Sequence, residues 1–146
     1  MSLTDKISLW SMVAAWFSAI VTLAAAVAAI WALKGWKKQE EATELKNLRV
    51  SVYKYNASLI FAPELITKQL SDEEFNSTKK VYDALQDVYI ATLMMHDRNT
   101  RGGASSIYSS ICNVHDKYTK GEITNKVAHD KVMKIRNSEP LLGVCS

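Results

Sequence analysis

Two cysteines, two prolines and five glycines in 146 residues leave this chain few of the devices that staple or interrupt a fold. Cys112 and Cys145 are too few for a disulfide framework, so free thiols in a reducing compartment are the expectation. No segment alternates apolar and polar residues with the period of two that a half-buried strand requires, and no low-complexity tract is present. That excludes sandwiches and barrels and leaves an all-α chain. An excess of charge is missing too: 18 Lys and Arg against 15 Asp and Glu give +3, spread along the sequence. Lys126, Lys131, Lys134 and Arg136 make a basic last segment, but no aromatic residues interleave with them to stack on bases. Nucleic acid is therefore not an expected partner.

The largest absence is of charge between residues 7 and 33, twenty-seven positions without one ionised side chain. As a helix this run reaches about 40 Å, against a hydrocarbon core of about 30 Å, so it is long enough to cross a bilayer with tilt. Its Leu, Ile, Val and Phe residues favour insertion by very roughly 3–6 kcal/mol, with no charge to oppose them. Trp10 and Trp31 would lie about 31 Å apart, one at each interface, and Trp36 with Lys34, Lys37 and Lys38 marks the exit into water. A buried helix of a soluble core rarely runs so long without a polar face. A cleaved signal peptide is the sharper rival, since residues 24–29 contain small-x-small patterns, yet the run is about twice a usual signal core and continues through Ile30, Trp31 and Leu33.

The flanks set an orientation. A short tail with Asp5 and Lys6 faces three lysines after Leu33, so the basic end stays in the cytoplasm. The expected organisation is an extracytoplasmic tail (1–6), a transmembrane helix (7–33), a juxtamembrane helical stalk (34–62) and a small cytoplasmic helical bundle (63–146). This describes a single-pass protein of a bacterial inner membrane, N-terminus outside. The sequons at Asn56 and Asn76 read as coincidence in that topology.

Within the span, Ser11, Ala15, Ser18, Thr22, Ala25, Ala29 and Ala32 recur at spacings of four and three, a stripe of small side chains opposite bulkier ones. Lipid tails give helices no hydrophobic reason to associate, so such a seam favours close packing of two backbones and a homo-oligomer. Beyond it, Leu45, Leu48, Val52, Tyr55 and Leu59 mark an amphipathic stalk ending near Pro63. The two stripes are out of register, with Gly35 between them as a possible kink. Two heptads are short for a coiled coil, so the stalk is expected to pack on the downstream helices.

Three more helices follow. The sequence Ser71-Asp72-Glu73-Glu74 has the form of a capping box, followed by a face of Phe75, Val81, Tyr82, Leu85, Val88, Tyr89 and Thr92 that extends to about His96. Residues 98–103 read as a basic, glycine-containing loop. A helix over 104–120 places Ile107, Ile111, Val114 and Tyr118 on one side and ends at Gly121. The last begins at Thr124, carries Ala128, Val132 and Ile135, and stops before Pro140. The stretch Tyr118-Thr119-Lys120-Gly121-Glu122-Ile123-Thr124 with its basic helix resembles the helical hairpin called SHOCT over about thirty residues. Val127 and Ala128 replace that hairpin's acidic-aromatic pair, so the resemblance implies a turn and no function.

Catalytic signatures are sparse. All three histidines precede an aspartate: His96-Asp97, His115-Asp116 and His129-Asp130. Metal-dependent phosphohydrolases of the HD type hold a divalent ion with His and Asp on a helical bundle, which makes these six residues the runner-up site. The glycines after Arg98 and Arg101 lack phosphate-loop spacing, and Cys112 near His115 lacks an orienting third group. The sequence therefore points to a non-enzymatic bitopic protein, without cofactor or metal. Its expected partners are the lipid bilayer, a second copy of itself and an unidentified protein bound by the bundle. A pore-forming small membrane effector and the metal-dependent hydrolase are the alternatives.

Overall fold

A computed structural model describes residues 3–65 and 71–143, with the side chains of 3–6 and 9 left aside. Cys145 and the first two residues of the expected N-terminal tail lie outside the described residues. The fold is all-α: α1 (Leu3–Ile60), α2 (Asp72–Leu93), α3 (Arg98–Thr119), α4 (Asn125–Ser138) and a closing 3-10 turn (Pro140–Leu142). The chain divides into two compact units, Met1–Glu40 and Glu41–Ser146, with the division falling inside the unbroken helix α1.

In the first unit the apolar run is helical throughout, and the helix continues unbroken through Gly35. It belongs to the one described helix long and apolar enough to cross a membrane (Trp10–Ile60), and none of its most apolar window is buried. Trp10, Phe17 and Trp31 each expose 70% or more of their surface. Among the described residues, no core of this chain covers that run. Thr22 Oγ1 donates to the Ser18 carbonyl at 2.8 Å, so the hydroxyl is satisfied within its own helix.

The second unit is built on the stalk stripe. Leu48, Val52, Tyr55 and Leu59 are fully buried, in one cluster with Val81, Leu85 and Val88 of α2, Ile107, Ile111, Val114 and Tyr118 of α3, and Ala128 and Val132 of α4. Thus the stalk packs on the downstream helices. Of the bundle elements, α3 is central, against α2, α4 and the 3-10 turn. Each start and stop has a local cause. The Ser71 hydroxyl accepts from the Glu74 N–H while Glu74 accepts from the Ser71 N–H, a reciprocal cap on α2. Gly121, at φ 72°, closes α3 with Glu122 N–H donating to the Lys117 carbonyl, and Thr124 caps α4.

Two expectations change. Residues 98–103 are not a loop but the first turns of α3, because the Asp97 carboxylate accepts from the N–H groups of Asn99 and Thr100 and from the Thr100 hydroxyl. That cap offsets two glycines, each about 1 kcal/mol worse than alanine in a helix. A Cβ at Gly103 would stand 2.5 Å from Leu141 Cδ1, which the flexible tip of that leucine would have to leave. Second, Phe75 and Tyr82 point largely to water. Tyr89 is partly exposed and rests on Tyr108 with centroids 5.2 Å apart.

Candidate metal centre

Glu44 lies on the stalk one residue before Leu45, where the helix turns from its solvated side toward the core, and only 13% of its side chain is exposed. The stretch between the C-cap of α2 at Met94 and the N-cap of α3 at Asp97 is two residues long, and it brings His96 back to α1. His96 donates its backbone N–H to Glu44 Oε2 at 3.2 Å, and its Nδ1 stands 2.5 Å from Glu44 Oε1. One carboxylate thus grips both ends of a residue fifty-two positions away. The imidazole itself remains 75% exposed.

Glu40 stands one turn before Glu44 on the same helix, so the four-residue spacing puts both carboxylates on one face. Ligand atoms of Glu40, Glu44 and His96 all lie within 4.8 Å of one another. Two carboxylates and an imidazole suit a divalent ion: their charges neutralise it, and the donor set matches zinc or manganese. Three protein ligands on an exposed face leave coordination positions to water, the arrangement catalytic zinc sites use. Among the described residues this is the one such group of three.

The other histidine–aspartate pairs do not join it. His115 Nδ1 meets the Tyr55 hydroxyl at 3.1 Å, and Asp116 pairs with Lys120 Nζ at 2.6 Å. His129 Nδ1 meets the Asn56 carbonyl at 3.1 Å, beside a cleft lined by Asp130, Glu64 and Lys126. Asp97 caps α3. Of the six runner-up residues, only His96 enters the cluster, with two glutamates that the sequence pattern marks merely as the solvated side of the stalk. The one available signal was their spacing of four.

His115 has a different part to play. Burial pushes its imidazole below the usual value of 6.5, against a smaller upward pull from Asp116. Between the lowered folded value and about 6.5 the unfolded chain binds more protons, so stability is complete above that window and declines as pH falls through it. In the tautomer that leaves Nδ1 bare the ring accepts the Tyr55 O–H, which a protonated ring cannot do at Nδ1. Thermal melts at pH 7.5 and 5.5 should show a larger loss for the wild type than for His115→Gln.

No family model, no curated protein and no solved structure matches this chain. The likeness of residues 118–124 to the SHOCT turn stays a likeness of a turn. The expectation of a non-enzymatic anchor carrying an interaction domain is corrected by Glu40, Glu44 and His96, whose placement favours metal-dependent chemistry. Sequence reasoning missed this because the three meet only when the α2–α3 turn returns to α1.

Proposed function

We propose that this chain is a membrane-anchored helical protein that binds a divalent transition metal through Glu40, Glu44 and His96 and uses it for hydrolytic chemistry. The approach of the three ligand atoms within 4.8 Å, in a place open to solvent, carries the reading. A divalent ion held by Glu40, Glu44 and His96 would supply a water nucleophile at neutral pH and neutralise charge on an oxygen leaving group. Glu44, held by the His96 backbone N–H, orients the set, and Glu40 and His96 face solvent, where a substrate arrives. The full-length protein in mild detergent, loaded with zinc or manganese, is expected to hydrolyse an activated phosphoester, and Glu44→Gln to reduce the rate at least about tenfold. Equal rates in both proteins would remove the catalytic reading.

The anchor is the uncharged run at 7–33. Its exposed aromatic and aliphatic side chains favour lipid over water, and the helix that contains it goes on to supply Leu48, Val52 and Leu59 to the folded core. The flanking lysines favour an orientation with residues 34–146 on the cytoplasmic side of the membrane and the N-terminus outside. The seam from Ser11 to Ala32 favours a homo-oligomer through close backbone packing. Cross-linking in membranes is expected to trap a homo-oligomer that Ala25→Leu weakens, and a monomer at high expression would rule the self-association out.

A further inference from the structure

At the end of α2, Ile90, Leu93 and Met94 share one face and lie 46, 56 and 65% exposed. Single apolar side chains on a surface are ordinary. What distinguishes these is their place on the chain. Two residues beyond Met94, His96 is bound to Glu44 through its backbone and its ring. Glu44 lies eleven residues after Leu33, the last position of the uncharged run. Eleven residues span about 16 Å as a helix and no more than about 40 Å fully extended, so the covalent chain is short enough to let this rim reach the lipid surface.

Two arginines beside the rim carry the matching sign. Arg98 and Arg101 are both exposed, and Arg101 Nε donates to the Met95 carbonyl at 2.7 Å, which holds its guanidinium next to the apolar face. Asp97, the acidic residue of this turn, is engaged in capping α3. On the intervening chain Lys34, Lys37 and Lys38 are balanced by Glu40, Glu41 and Glu44, so the matching positive charge is that of the two arginines. Apolar side chains ringed by arginines are the composition that sinks into the headgroup layer of an anionic membrane.

We propose that the rim of Ile90, Leu93 and Met94 docks on the bilayer surface, with Arg98 and Arg101 on anionic headgroups. The inference rests on the reading of 7–33 as a membrane span and is independent of metal binding.

The test uses the full-length chain carrying Cys112→Ser and Cys145→Ser, with Met94→Cys as the labelling site for an environment-sensitive dye. It is reconstituted in vesicles of three parts phosphatidylcholine to one part phosphatidylglycerol. Val127→Cys on α4 is the control, at the opposite end of the stalk, where Asn125 binds the Ala62 carbonyl. Headgroup spin-labelled lipid should quench the dye at 94 at least twofold more than at 127, and Arg98→Gln with Arg101→Gln should reduce the difference. Protein that stays with carbonate-washed vesicles while both positions quench equally would overturn the docking and leave the span standing. A blue-shifted but unquenched dye at 94 would assign the rim to a protein contact and overturn it as well. Release by carbonate would remove the span itself.

Discussion

Leu48→Ala is expected to destabilise the folded unit of residues 41–146 by about 2–5 kcal/mol. Leu48 is fully buried and sits in the cluster that joins the stalk to α2, α3 and α4. Removing its branched side chain takes away both the transfer term and the contacts lining the space left behind. A unit of this size has a total stability of roughly 5–15 kcal/mol, so the loss is a large fraction of it. The melting temperature should fall by about 10–30 °C, read by near-ultraviolet circular dichroism of the full-length protein in detergent. Val50→Ala, two residues on and partly exposed, should stay within about 0.5 kcal/mol of the wild type. If both variants melted alike, the stalk would stand apart from the bundle, and the packing described for Tyr55 and Leu59 would be wrong too.

The second large effect concerns the anchor. Val21→Arg together with Ala24→Arg puts two charges at the middle of the uncharged run, each opposing insertion by about 2.5–3.5 kcal/mol. Their sum, about 5–7 kcal/mol, matches or exceeds the roughly 3–6 kcal/mol by which the apolar residues favour it. The double variant should therefore lose most of its carbonate-resistant membrane fraction, whereas Val127→Arg on exposed α4 should keep it. Retention of the double variant at the wild-type level would mean that something other than this run holds the protein to the membrane.

Much of the second unit can be read from spacing. The steps of three and four through Leu48, Val52, Tyr55 and Leu59, and again through Ile107, Ile111, Val114 and Tyr118, are the core faces because a helix can bury only one stripe. The caps at Ser71 and Thr124 and the turn at Gly121 are legible for a similar reason, as each depends on residues within one or two turns. Residues 98–103 mislead because glycine propensity is a small local term and a good cap at Asp97 overrides it. Phe75 and Tyr82 fit the period of α2 yet stay largely in water, and Tyr89 is only partly covered, since α2 meets the cluster through Val81, Leu85 and Val88.

The candidate centre was hidden for a physical reason. Glu40 and Glu44 look like the solvated side of an amphipathic helix, and nothing near them in sequence requires a histidine. Only the length of α2 and the two-residue connection after Met94 decide that His96 returns to Glu44 rather than to another turn of α1. The three histidine–aspartate pairs made the opposite error attractive. Their regularity lies along the chain, while the fold sends His96, His115 and His129 to three different partners.

Metal content of the purified full-length protein tests the central claim most directly. After incubation with zinc or manganese and removal of excess, elemental analysis of detergent-solubilised wild type should find about one equivalent of metal per chain, and Glu40→Gln with Glu44→Gln well under half of that. Metal at the same level in both proteins, or none in the wild type, would contradict the assignment of Glu40, Glu44 and His96 as a metal centre.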